Sequence, residues 1–472
     1  MRWHFQRALA WLADAARGEL IPEGDHFEIP DFPVSFSDGA VVFLESTESF
    51  SHWQQQTEHS GYIELLFLPQ QPERFLVRMF RSRDRSELHT LQWGKALKER
   101  EGSIHSGIWI LLPRPPVLAP WQAPITWREL SAACSAQGID LLAILRPLVR
   151  ELRDGEPHIL LLGFPIPAKV GEPPCQFHWQ AIMLPVLSAR GLSAGFRENE
   201  EGYWCRDVTR ILRREAPVNW VKSENWHEDQ IAARGRLPNS LRSQSVLLIG
   251  GGALGAVFAE LLVRAGVYKL TIIDSDKIEV GNLVRHSLGV PNVDASKAQA
   301  LAEHINRATP HASVDFLNVE FPNCNEEERA RIQQSDLIID CTGSDDVLYH
   351  LGAFSWNSRK VFVSLSLGIG ARRLYCFTAQ GANFPHEIFV DMLQPWLAKD
   401  LTENEGQEFP REGIGCWNPI FPARADDVWM MAAIAIKDLQ RFVSLSERFT
   451  GLRVYEQTYE DGVFTGVRRV EK

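Results

Sequence analysis

The stretch that decides the fold is SVLLIGGGALGAVFAELLVRAGVYKLTIID, residues 245–274. Its first apolar run, VLLI, reads as a strand buried on both faces. Gly250-x-Gly252-x-x-Gly255 follows at once and opens a helix. Leu254, Val257, Phe258 and Leu261 recur there at helical spacing, and Gly266 is its stop. KLTIID is the second strand of the resulting βαβ unit. Such glycines permit a tight turn and close backbone approach, while the helix N-terminus attracts anionic phosphate. Asp274 ends the second strand 19 residues past Gly255, near the spacing of about 20 expected of a ribose-binding acid. The competing reading is a glycine turn that serves only helix–sheet packing.

Downstream, NLVRH (282–286) supplies Asn282 and Arg285, and Lys297 follows a short loop. Two cations and a helix N-terminus suit a triphosphate better than the less charged pyrophosphate of a dinucleotide. The plainer alternatives are a salt bridge from Arg285 to Asp276 or Glu279, and a solvated helix face for Lys297. Further strands of the same type, SDLIID and KVFVSLSL, imply a mostly parallel sheet. LIIDCTGSDDV places Asp340 at a strand end and Asp345 and Asp346 in the loop beyond it, where open α/β sheets bind ligands. An acid there can hold Mg²⁺, which takes one or two carboxylates plus phosphate oxygens. Cys341 reads as a buried strand residue.

Together the glycine loop with its acid, NLVRH, SKAQALAEHIN and LIIDCTGSDD resemble the ThiF-type adenylating superfamily, strongly over 226–345 and loosely to 472. That superfamily includes ubiquitin-activating enzymes and enzymes that adenylate sulfur-carrier proteins. The resemblance implies ATP and Mg²⁺, with Asp274 on the ribose and Asn282, Arg285 and Lys297 on the phosphates. Gly250, Gly252, Gly255 and Asp276 complete the expected nucleotide contacts, and Asp345 or Asp346 the metal contact. It implies adenylation of the C-terminal glycine of a ubiquitin-like protein, with release of pyrophosphate. Two departures stand out. The family's metal acid lies closer to the strand Asp than either acid here. An upstream Arg of the family, contributed across a dimer, is replaced by Asp229 in DQIAARGR, where Arg234 or Arg236 could substitute.

EGIGCWNPIFPARADDVW puts Cys416 between turn residues just ahead of a helix, after a stretch (about 380–412) read as a long irregular loop. A thiol near a helix N-terminus is activated, and in ubiquitin-activating relatives a Cys in this region takes the acyl group as a thioester. The helix from Ala425 carries Val428, Met431, Ala432, Ala435 and Leu439, a core or dimer face. LRVYEQTYEDGVFTGVRRV reads as a hairpin turning at Asp461-Gly462.

The expected architecture is α/β. A Rossmann-like, doubly wound, mostly parallel sheet over 226–472 is preceded by a mixed α/β domain over 23–225 and an amphipathic helix over 1–22. Strands are expected near 40–44, 62–68, 75–80, 108–112 and 158–163. The domain to 225 resembles, weakly, the linker or inactive adenylation-like region of bacterial activating enzymes in antiphage ubiquitin-like operons. Conjugating activity is expected in a separate protein, and the chain is expected to dimerise with itself. Cys134, Cys175 and Cys205 read as core packing, and His178 as structural.

The 472 residues, 45% hydrophobic, suffice for two or three domains. A net charge of −11 argues against a general binder of nucleic acid or anionic membrane. No run suits a membrane span or a secretory signal. Seven cysteines without a C-x-x-C pair suit a reducing cytoplasm. Two other functions fit parts of the pattern: adenylation for sulfur transfer, and a nicotinamide oxidoreductase, against which the NLVRH block weighs.

Overall fold

The computed structural model describes residues 2–17, 23–34, 39–68, 73–100, 102–119, 122–408, 422–445 and 450–470. The chain forms two compact units, 1–92 with 101–231, and 93–100 with 232–472. Among the described residues no helix is long and apolar enough to cross a membrane.

The first unit runs α1 (Arg2–Arg17), β1 (Gly39–Phe43), α2 (Thr47–Gln54), β2 (Ser60–Leu68), β3 (Glu73–Arg81) and β4 (Glu87–Thr90). The next helix, α3 (Lys95–Lys98), belongs to the second unit. The first resumes with β5 (Ile104–Leu111), α4 (Trp127–Ser135), α5 (Leu141–Leu148), β6 (His158–Pro167), β7 (Pro174–Leu184), α6 (Glu200–Arg206), β8 (Trp220–Asn225) and α7 (Glu228–Ile231). Strand order is β1-β8-β7-β6-β5-β2-β3-β4, and β1 also pairs with β3. Seven strands therefore close on themselves, with β4 attached to β3. Alternation along the strands supplies two apolar faces. Ile108, Ile110, Leu160, Leu162 and Trp220 pack on α4 and α5, while Trp109 and Trp179 gather with Phe80 and Trp53 of α2. The buried Glu45 accepts from the indole N–H groups of Trp53 (2.8 Å) and Trp179 (2.6 Å). None of the side chains of α1 is buried.

The second unit adds α8 (Asn239–Arg242), β9 (Val246–Ile249), α9 (Ala253–Arg264), β10 (Lys269–Ile273), α10 (Lys297–Asn306), β11 (Ser313–Leu317), α11 (Glu326–Gln333), β12 (Leu337–Asp340) and α12 (Asp345–Ala353). Then come β13 (Lys360–Leu367), β14 (Arg373–Gly381), α13 (His386–Glu403), α14 (Ala425–Ser444), β15 (Gly451–Glu460) and β16 (Val463–Val470). Sheet order is β11-β10-β9-β12-β13-β14-β15-β16, parallel from β11 to β13 and antiparallel beyond. From β9 the chain goes to β10 on one side and later to β12 on the other. A crevice opens at such a reversal, beyond the strand C-termini. Helix α9 is buried through most of its length and packs beside α14 in the same core.

Three readings need correction. The stretch 380–412 is not one irregular loop, because residues 386–403 are helical despite Pro395. Phe389, Leu393, Trp396 and Asp400 fall on one buried face of that helix, and this packing outweighs the proline's cost of about 3 kcal/mol. Cys134 is buried, and burial pushes its thiol up to about 12. Cys205, however, is exposed and Cys175 only part-buried, so neither is plain core. Finally, Cys341 lies just past β12 and is part-buried rather than within the strand. Cys416 lies outside the described residues.

Candidate active site

The turn after β9 is shaped by backbone sterics. Gly250 has φ +91°, a conformation side chains rarely adopt. A Cβ on Gly255 would stand 1.9 Å from the Gly250 carbonyl oxygen, whereas one on Gly252 would meet nothing within 4 Å. Gly255 is thus required by the turn itself, while Gly252 faces open space at the start of α9.

Asp274, at the end of β10, braces this turn. Its carboxylate accepts from the N–H of Gly251 (2.8 Å) and of Asp276 (2.9 Å). Burial raises its pKa, opposed first by the charge of Lys297. Lys297 opens α10 and is 8% exposed, so it is no solvated helix face. Its ammonium donates to Asp276 at 2.9 Å, and its backbone N–H to the Asp276 carbonyl at 2.8 Å. Asn282 accepts from the Glu279 N–H at 3.1 Å, closing the short turn that presents Arg285.

His286, unassigned in the sequence, ties this block to the glycine turn. Its Nδ1 accepts from the Leu288 N–H (3.1 Å), so its Nε2–H donates to the Gly251 carbonyl (2.7 Å). Burial holds its pKa below the usual histidine range. With both nitrogens engaged it is a neutral brace, not a free base. A second network closes the far wall. Buried Asp340 accepts from the N–H (3.0 Å) and hydroxyl (2.6 Å) of Thr342 and from the hydroxyl of Ser364 (2.9 Å). Burial raises its pKa. Cys341 is held well above the usual thiol range by burial and by neighbouring Asp340.

Gly252, Asn282, Arg285, Lys297 and Asp345 line one cavity of about 570 Å³. Gly250, Gly255, Asp274, Asp276 and Asp346 are not among its lining residues. The cavity continues over Ser364, Leu365, Ser366 and Leu367 of β13 and under Phe389, Leu393 and Leu397 of α13. Sequence reasoning missed this half, although KVFVSLSL continues beyond the strand length shared with β12. Among the described residues no group of three or more His, Cys, Asp or Glu is placed to hold a metal. The Asp345 carboxylate makes no hydrogen bond or ion pair among the described residues, and a single carboxylate with phosphate oxygens is a coordination set Mg²⁺ accepts.

Residues 227–383 match the ThiF family, and residues 18–226 match the Cap2 central linker domain. An ATP-dependent ubiquitin transferase-like protein Cap2 of Enterobacter hormaechei is 38% identical over 451 residues, covering 94% of this chain and 74% of that protein. The chain belongs to this Cap2 family and is an enzyme of the adenylyltransferase class. The molybdopterin-synthase adenylyltransferase of Escherichia coli is 30% identical over 126 residues, 26% of this chain and 50% of that one. Among solved structures, E. coli MccB with AMPCPP and MccA aligns over 49% of this chain and 64% of its own. That alignment has a TM-score of 0.35 and 13% identity.

Proposed function

We propose that the enzyme activates the C-terminal glycine of a ubiquitin-like protein, passes it to Cys416 as a thioester, and hands it to a separate conjugating-type protein. It does so as a cytoplasmic homodimer in a bacterial antiphage pathway. The observation that carries this reading is the convergence of Arg285, Lys297, the α9 N-terminus and Asp345 on one cavity with an apolar extension. Asp274 takes the ribose hydroxyls with the lone pairs its two backbone bonds leave. Gly252, Asn282, Arg285 and Lys297 neutralise and orient the phosphates. Asp345 would hold Mg²⁺, which supplies further neutralisation of phosphate charge. The incoming carboxylate oxygen bonds to the α-phosphorus as the bond to the β-phosphate oxygen breaks, giving an acyl-adenylate and pyrophosphate. The thiolate of Cys416 then attacks the acyl carbon and AMP leaves.

The test is ATP–pyrophosphate exchange dependent on the ubiquitin-like protein, followed by non-reducing electrophoresis. Exchange with a DTT-sensitive adduct that Cys416→Ala abolishes is the expected result. Exchange without any adduct would instead favour adenylation for sulfur transfer. NAD(H) binding with no ATP dependence would overturn the reading altogether.

A further inference from the structure

Lys297 is fixed by its backbone and only lightly held by its side chain. Three backbone bonds lace the segment that opens α10 to the chain just past β10. The Lys297 N–H donates to the Asp276 carbonyl (2.8 Å), the Ile278 N–H to the Ala295 carbonyl (2.9 Å) and the Asp294 N–H to the Ile278 carbonyl (2.9 Å). This frame places the Lys297 backbone without help from the ammonium. The ammonium donates to one carboxylate oxygen of Asp276 at 2.9 Å. Lys297 lines the cavity and Asp276 does not, so the pair straddles the cavity wall.

The two partners meet water very differently. The Lys297 side chain is 10% exposed and that of Asp276 70%. Asp274, two residues earlier, is the opposite case. Its two oxygens accept from the N–H groups of Gly251 and Asp276, which lock it in place. The Asp276 carboxylate has no such lock and stands where water can receive it. A phosphate entering the cavity meets the ammonium from the other side and brings negative charge beside that carboxylate. Of the two anions, the carboxylate is the one that can leave.

We propose that Asp276 is a releasable counter-ion of Lys297, displaced by nucleotide phosphates and able to recapture the ammonium as pyrophosphate leaves, an inference that rests on the adenylation reading above. Asp276 is thus a positioning residue that acts on the phosphates through Lys297. At rest it keeps a nearly buried ammonium paired, which avoids the cost of an uncompensated buried charge. On nucleotide entry the ammonium exchanges the carboxylate for phosphate oxygens, and Asp276 turns to water. After the α–β phosphate bond breaks, the same carboxylate competes with pyrophosphate for the ammonium and favours release of that product. An ion pair with one exposed member is weak, so this competition costs phosphate ligands only roughly two- to fivefold in affinity.

The experiment uses the full chain and titration calorimetry at fixed Mg²⁺, with a non-hydrolysable ATP analogue, pyrophosphate and adenosine as ligands. Asp276→Asn keeps the shape of the side chain and all three backbone bonds and removes the charge. Affinity for the analogue and for pyrophosphate should rise roughly two- to fivefold, while adenosine, which carries no phosphate, binds as before. In the Lys297→Met background the same substitution should change neither phosphate ligand, because an exposed charge without its ammonium is screened by water and salt. A residue that merely supported the turn would weaken binding when altered, never tighten it. Weaker or unchanged binding of the phosphate ligands by Asp276→Asn, an equal gain for adenosine, or an equal gain without Lys297 would each overturn the counter-ion role and leave the adenylation reading standing. If the wild-type chain binds the analogue no better than adenosine, the adenylation reading itself falls, and the counter-ion role falls with it.

Discussion

At the scale of single residues, Lys297 and the three loop glycines each make a separable prediction. Lys297→Met removes a buried cation from the cavity wall but leaves its partner Asp276, whose side chain is 70% exposed, in water. The fold is expected to tolerate the change, while pyrophosphate exchange falls by about 100-fold or more, the scale of losing a preorganised charge partner of the phosphates. Unaltered exchange would remove Lys297 from the phosphate site. The glycines separate packing from binding. Gly255→Ala drives a Cβ into the Gly250 carbonyl and is expected to cost about 3 kcal/mol in denaturant unfolding. Gly252→Ala meets open space at ordinary φ, so stability should change by no more than about 0.5 kcal/mol while ATP affinity drops. Equal destabilisation by both would place Gly252 in the packing rather than at the ligand. All three glycines were legible as a motif. Their division of labour was not, because it depends on where the Gly250 carbonyl and the Thr342 loop come to lie.

Helix α13 shows what an element owes to its partners. Its C-terminal end is clasped by Arg373 of β14, whose side chain is 1% exposed and bonds to Asp400 and Glu403 of the helix and to Glu456 of β15. Tyr375 donates its hydroxyl to Asp400 at 2.6 Å. A Cβ on Gly368 would come within 2.4 Å of the same carboxylate, so only glycine leaves it room. Arg373→Met strands these acids, and breaking a buried pair from one side costs about 3–5 kcal/mol. Thermal unfolding should show that loss. Arg373→Lys should recover only part of it, since an ammonium cannot reproduce the guanidinium fork. A wild-type melting temperature in Arg373→Met would mean that apolar packing alone seats the helix. The sequence showed Pro, Glu and Gly here and suggested a loop, because the clasp joins residues 27 to 83 positions apart and no local window contains it. Strand β7 was missed for another reason. Its alternation of Phe177, Trp179 and Ala181 with Gln176, His178 and Gln180 was present, but the polar residues are themselves largely buried and do not look like an interior strand.

In the molecule as a whole, a buried acid of the first unit predicts a pH dependence of stability separate from the second unit's site. Glu45 is 1% exposed among tryptophans, and burial raises its pKa from 4.5 to about 7. Its folded pKa exceeds its unfolded one. Its contribution to stability is therefore fully present below about pH 4.5 and is lost as pH rises through 7. Unfolding followed by tryptophan fluorescence should show the first unit more stable at pH 5.5 than at pH 8, and Glu45→Gln should flatten that difference. A slope unchanged in Glu45→Gln would assign the effect elsewhere. Sequence alone determined the βαβ unit with its glycine turn, the acid at the end of β10 and the cations near it, since short-range periodicity and fixed spacing encode them. Tertiary structure alone decided that Lys297 is buried against Asp276, that Asp345 rather than Asp346 reaches the cavity, and that β1 closes the first sheet on β3. Each of these depends on which distant segments become neighbours, and hydrophobic burial and strand pairing set that across the whole unit rather than within any one stretch of chain.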